Sequence, residues 1–367
     1  VWFVSPAETP TVGRTVDWAF AATVGTKLVR PAPPVTDYTR QQAIEQLAES
    51  SRRAELPVRD VTQLEDAIRS NSEARVIDRG EWVRAATESM RVMTGGADKS
   101  SGFITGRVTG AQTGAVLAFI SSGILGQYDP FAPRGQERSD SGDRFSGGEL
   151  LLVYPNVIAV ERQLRVSPAD FRLWVCLHEV THRVQFKANP WLAEHMSKCL
   201  AVLTDDGEQD PAQVVDRLFA LVRSRRNGAD DDPPEPNSEG VLGILRAIQS
   251  EPQRKALDQL LVLGTLLEGH ADHVMDAVGP AVVPSVSTIR RRFNERRERK
   301  QPPLQRVLRA LLGFDAKLSQ YTRGKAFVDH VVAGVGMARF NTVWSSPETL
   351  PLPSEIDEPQ RWIDRVL

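Results

Sequence analysis

The residues in this chain best suited to do chemistry are His178-Glu179-Val180-Thr181-His182, two imidazoles four positions apart with a carboxylate between them. On a helix, positions four apart differ by about 40° around the axis, so both rings can face one ion. Glu179 falls about 100° from His178 and about 60° from His182, close enough to reach a water on that ion without ligating it. The pattern separates ligands from base, and it suits metal-assisted hydrolysis. With six histidines in 367 residues, a chance match is uncommon. The bland reading of the same letters is two histidines paired with neighbours inside a buried helix.

The helix that must carry the motif is legible. Ser167-Pro168-Ala169-Asp170 reads as a capping box with proline at the first helical position, so a helix is expected from there to about Lys187, before Pro190. Its apolar stripe of Phe171, Trp174 and Val175 continues into His178, Thr181 and His182. Burying those groups without partners is costly, and a metal satisfies both rings at once.

Catalytic zinc usually takes three protein ligands. A glycine three residues and a histidine six residues past His182 would complete one common set, but Gln185 and Ala188 stand there. A glutamate from a second helix is the other common solution, and Glu268 supplies it. Its helix is expected from about Glu251, capped by Ser250, through Ala277, with Leu257, Leu260, Leu261, Gly264, Glu268, Ala271 and Met275 on one stripe. Asp272 lies one turn further on, where it can accept a hydrogen bond from a ligating histidine. Asp272 and His273 stay open as ligands in place of Glu268. For the oxyanion donor the candidates are Tyr321, His270, His273 and Tyr128. Tyr321 is favoured because it sits among Asp315, Lys317, Gln320 and Arg323 on a helix expected to run to about Gly334.

Elsewhere the periodicity is mostly helical, with helices expected over 14–30, 37–54, 79–94, 106–125, 191–203 and 211–226. Residues 133–148 and the acidic stretch 227–240 read as solvated loops. Residues 149–160 form the clearest extended segment, and a strand just before the motif helix could edge the cleft and pair with a substrate backbone. The basic run 290–300 reads as a solvated helix face. Three regions are expected: an N-terminal helical region over 1–140, a catalytic core over 145–280 and C-terminal helices over 281–367.

Composition agrees with a large globular protein of 41% hydrophobic and 25% charged residues. A formal net charge of −2 gives no pull toward nucleic acid or an anionic surface. Cys176 and Cys199 are too few for a disulfide framework, so a reducing cytoplasmic setting is the default. No apolar run reaches the length of a membrane span. The numbering starts at a valine, which leaves export open.

Beyond the motif, FRLWVCLHEVTHRVQF (171–186), TLLEGHADHVMDAVGP (265–280), FDAKLSQYTRGKAFV (314–328) and FNTVWSSPETLP (340–351) resemble the zincin-like metallopeptidase type 2 family, whose bacterial members are often labelled as associated with coenzyme F420 biosynthesis. The Glu268-x-x-x-Asp272 pairing is similar to the gluzincin pattern of thermolysin-like peptidases, although the insertion between His182 and Glu268 is longer than in compact members. The resemblance implies one Zn2+ on His178, His182 and Glu268, with Glu179 as general base. The fold expected is α+β and predominantly α, a zincin-like arrangement with a small mixed sheet over the motif helix and flanking helices. A peptide or protein substrate is the first expectation. A zinc-dependent amide or ester hydrolase acting on a small molecule, and a binding protein that keeps the fold without catalysis, are the alternatives.

Overall fold

The computed structural model describes residues 15–64, 73–96, 103–132, 148–203, 250–298 and 314–367, without the side chains of 103–104, 297–298 and 314–322. The expected helix 211–226, the loop 227–240 and nearly all of the loop 133–148 lie outside the described residues.

The described chain is mostly helix, as the periodicity predicts, around a three-stranded mixed sheet. Helices α1 (Trp18–Leu28) and α2 (Asp37–Thr62) come first, capped by Asp17 and Thr36, whose side chains accept from Phe20 and Thr39 amides. Strand β1 (Arg75–Ile77) follows, then α3 (Arg79–Met93) and α4 (Phe103–Ile120). Strands β2 (Gly126–Asp129) and β3 (Glu149–Val153) lead into α5 (Tyr154–Leu164), α6 (Pro168–Ala188) and α7 (Trp191–Leu203). The long α8 (Glu251–Val278), then α9 (Val286–Glu298), α10 (Phe314–Val335), α11 (Met337–Phe340) and α12 (Pro359–Val366) complete the described elements, with two 3-10 turns between the last pair.

Strand β3 is central, parallel to β1 (Ile77 opposite Val153) and antiparallel to β2 (Gly126 opposite Leu152, Asp129 opposite Glu149). Its alternation sorts the layers. Leu150 and Leu152 join the core built by α2, α5, α6, the end of α8 and α9. Leu151 and Val153 point the other way, into a cluster with Trp82, Val83 and Ala86 of α3 and Leu117 of α4. A third cluster joins α7, α8 and α10 to the C-terminal segment around Phe327, Phe340, Trp344 and Trp362. Helices α8 and α10 cross at their backbones. A Cβ on Gly269 would fall 2.1 Å from the Gly324 carbonyl carbon, and one on Gly324 would fall 2.1 Å from the Thr265 oxygen, so only hydrogen fits at either position.

Three sequence expectations change. The pattern stops α2 at residue 54, ahead of Pro57, yet the helix continues to Thr62 because Val58 and Thr62 are fully buried and their packing offsets the lost hydrogen bond. The apolar run 149–160 is extended only to Val153. Pro155 then sits in the first turn of α5, a place that needs no amide proton, and Val157, Ile158 and Val160 bury as helix. A short apolar run does not distinguish a buried strand from a buried helix by periodicity. Finally, the basic run is not simply a solvated face. Arg290 is withdrawn onto Asp272 and Asp276, while Arg292 donates to the carbonyls of Leu164 and Arg165, which lack helical partners at the end of α5.

Candidate metal centre

Helix α6 starts where the cap predicts, with the Asp170 amide donating to Ser167 Oγ, and the Asp170 carboxylate accepts from the Ser285 amide and hydroxyl. This fixes the rotation of α6 against the segment after α8. His178 and His182 then share one face, their rings perpendicular with centroids 4.7 Å apart. Helix α8 brings Glu268 opposite them.

The three donor atoms converge. His182 Nε2 lies 3.1 Å from His178 Nε2, and Glu268 Oε2 lies 3.3 Å from His178 Nε2 and 3.8 Å from His182 Nε2. A tetrahedral ion with bonds of about 2.0–2.2 Å needs donors about 3.3 Å apart. The set therefore fits a small divalent ion with little movement, and it is the group among the described residues able to hold one.

The electrostatics favour a cation there. Burial opposes a charge on His178, but the Glu268 carboxylate against its ring overrides this, and Glu179 and Asp272 add to it, raising its pKa to about 9. In the metal-free centre at neutral pH a proton on His178 therefore meets part of the carboxylate charge. His178 Nδ1 faces the Met275 sulfur at 3.3 Å.

Glu179 is not among the converging donors; 7% exposed, its side chain lies against Gly126 of β2. A Cβ on Gly126 would fall 2.7 Å from Glu179 Cγ, so glycine at that position gives the carboxylate its room. Both line a cleft of about 600 Å3 together with His178, His182 and Glu268. Its far wall includes Trp82, Met90 and Met93 of α3, Phe131 and Met196.

The strand at this cleft is β2, which corrects the expectation for 149–160. Strand β3 is paired on both sides, and β2 is an edge of the sheet among the described residues. Asp272 lines the cleft but takes its hydrogen bond from Arg290 Nη1 at 2.9 Å, not from a histidine, and it acts on His178 through space. Arg290 also donates to Asp276 and stacks 5.5 Å over the Trp174 ring. The chain of polar contacts continues from Asp276 to Lys325, Asp329 and His273.

That chain holds His273 on Asp329, outside the cleft lining. His270 is fully buried and packs on Phe340 and Trp344 with centroids at 5.4 and 5.5 Å. Burial above all, with His273 and His182 nearby, lowers its pKa to about 3. Of the oxyanion candidates with described side chains, only Tyr128 lines the cleft, and burial raises its pKa, with Arg183 opposing. The Tyr321 side chain lies outside the described residues. Arg323, from the same polar segment, pairs with Asp357 at an exposed position.

Sequence reasoning missed three residues here. In the sequence Arg290 is one cation of a basic run with nothing to single it out, and Gly126 sits in a four-residue strand too short for periodicity to find. Gln185 is the third. It is fully buried and bonded to His182, yet three residues past the motif it carries no signal except its place one turn beyond His182 on the same helix face.

The sequence profile of a family described as zincin-like metallopeptidase matches residues 16–363. A crystal structure from Chloroflexus aurantiacus, described as that of a proposed hydrolase with a novel fold, is 29% identical with a TM-score of 0.60, over 95% of this chain and 98% of that one. No curated protein matches the chain.

Proposed function

The chain belongs to the zincin-like metallopeptidase family, and from that premise we propose that it is a zinc-dependent peptidase in which His178, His182 and Glu268 hold the ion and Glu179 is the general base. The observation that carries this reading is the convergence of three donor atoms on one point of a cleft that Glu179 also lines. Zinc, when bound, supplies Lewis-acid polarisation of a carbonyl and a water acidified toward neutrality.

The protein's own groups do the rest. Glu179 accepts the proton of the attacking water on a carboxylate oxygen and returns it to the leaving nitrogen. Gly126 leaves that carboxylate its position, and the edge of β2 offers main-chain donors and acceptors to an extended substrate. Tyr128 is the described candidate for holding the oxyanion. Four methionines, Met90, Met93, Met196 and Met275, line the cleft out of five in the chain. Thioether side chains adapt to varied apolar shapes, so peptides carrying a bulky apolar residue beside the scissile bond are the expected substrates. The buried free thiols of Cys176 and Cys199 suit a reducing, cytoplasmic setting. No helix among the described residues is long and apolar enough to cross a membrane.

A peptide-library digest tests the proposal. Cleavage that a chelator abolishes and zinc restores is expected. A zinc-loaded protein that leaves every peptide intact but hydrolyses small amides or esters would move the assignment to the small-molecule reading.

Two further outcomes arise from the same geometry. Gly126→Val forces the Glu179 side chain aside, and a displacement of about 1 Å at the reacting centre costs on the order of 10²-fold. The variant is expected to keep its metal content while kcat falls by that order, read by metal analysis beside a steady-state assay. The second outcome concerns pH. Because His178 is protonated up to about pH 9 without metal, the ion must displace that proton. Zinc affinity should therefore rise about tenfold per pH unit through neutrality and level off near that pKa. Calorimetry in buffers of different ionisation heat should find about one proton or more released per ion at pH 7. An affinity that is flat between about pH 6 and 8 contradicts the His178 assignment.

A further inference from the structure

We infer that Gln185 is the positioning residue of this centre: it sets which ring nitrogen of His182 carries the proton and ties the His182 turn of α6 to the Glu268 turn of α8. The inference rests on reading His182 as a metal ligand, and it adds a residue that the motif does not contain.

The argument starts from one carbonyl. Gln185 is fully buried, and its side-chain amide nitrogen lies 3.0 Å from the Leu267 oxygen. A carbonyl only accepts, so the atom facing it is Nε2, which settles the orientation of the amide group. The same nitrogen lies 2.9 Å from His270 Nδ1, and both of its protons are thereby used. Gln185 Oε1 is left facing His182 Nδ1 at 2.8 Å. An amide oxygen only accepts, so His182 donates there and carries its proton on Nδ1. Its Nε2 lone pair is then directed at the point shared with His178 Nε2 and Glu268 Oε2.

His270 completes the device. It must accept at Nδ1 from Gln185, and so it carries its own proton on Nε2, an atom without a hydrogen-bond partner among the described residues. An unpaired buried donor is unfavourable. Its presence is accounted for if the ring is there to hold Gln185 by its other nitrogen. Leu267 precedes Glu268, so the same amide that orients one ligand grips the backbone beside another.

Protein labelled with 15N in its histidines reads the tautomer by long-range proton–nitrogen correlation, without zinc or turnover, at alkaline pH where the rings are neutral. His182 is expected as the Nδ1–H form, and it should keep that proton when zinc is added. An Nε2–H form of His182 in wild type overturns the inference. Gln185→Leu should lower zinc affinity by about 10–100-fold in chelator competition and leave His182 as a mixture of tautomers. Gln185→Glu keeps an acceptor for His182 and should retain the Nδ1–H form and most of the affinity, while losing thermal stability because a carboxylate then meets the Leu267 oxygen. A folded Gln185→Leu with wild-type affinity and an unchanged tautomer contradicts the assignment. If Gln185→Leu fails to fold, the wild-type tautomer still decides. If the protein takes up no zinc, the peptidase reading fails, and the metal-free spectrum still decides the role of Gln185.

Discussion

Replacing Glu179 by glutamine is expected to leave the fold and the bound metal unchanged while lowering kcat by about 10²–10⁴-fold. The amide has the shape of the carboxylate and fits the same slot beneath Gly126, but it cannot take a proton from water. Glu179 is not one of the donors that converge on the ion position, so its replacement removes no ligand. Its near-complete burial means that the variant must be matched in volume, and an alanine there would confound lost chemistry with a cavity. Metal content by elemental analysis beside a steady-state peptide assay separates the two effects. Full hydrolysis by Glu179→Gln would place the base elsewhere.

The second large effect is expected at Glu268. Glu268→Ala leaves two imidazoles for an ion that needs three protein ligands, so zinc affinity should fall by more than the roughly 100-fold typical of losing an outer partner. The same change removes the carboxylate that holds the His178 pKa up, and that pKa should drop in the metal-free variant. Chelator competition and histidine titration by NMR read the two consequences independently. Unchanged affinity would pass the ligand role to Asp272 or His273. The structure sets Asp272 on Arg290 and His273 on Asp329, and each would have to leave that partner to serve.

What the sequence makes legible is whatever repeats at the period of a helix or announces itself at a helix end. The caps at Ser167 and Ser250 and the stripes on α6 and α8 bring out both ligand helices, and four of the site's side chains follow from them. The sheet is nearly invisible by the same logic. Strands β1 and β2 have three and four residues, and β3 reads into α5 because Leu, Val and Ile bury equally well in either form. Contacts between distant segments have no period at all. Gly126 reaches Glu179, Arg290 reaches Asp272 and Gln185 reaches His270 only once the helices are packed, so Asp272 read as a partner for a histidine when its hydrogen bond goes to a guanidinium.

The central claim is that one catalytic ion sits on His178, His182 and Glu268. X-ray absorption at the metal edge of the purified protein tests it most directly. The account predicts one zinc per chain with two imidazoles, a carboxylate oxygen and one further light ligand at about 2.0–2.2 Å. Sulfur at about 2.3 Å, a single imidazole, or a chain that retains no metal would contradict it.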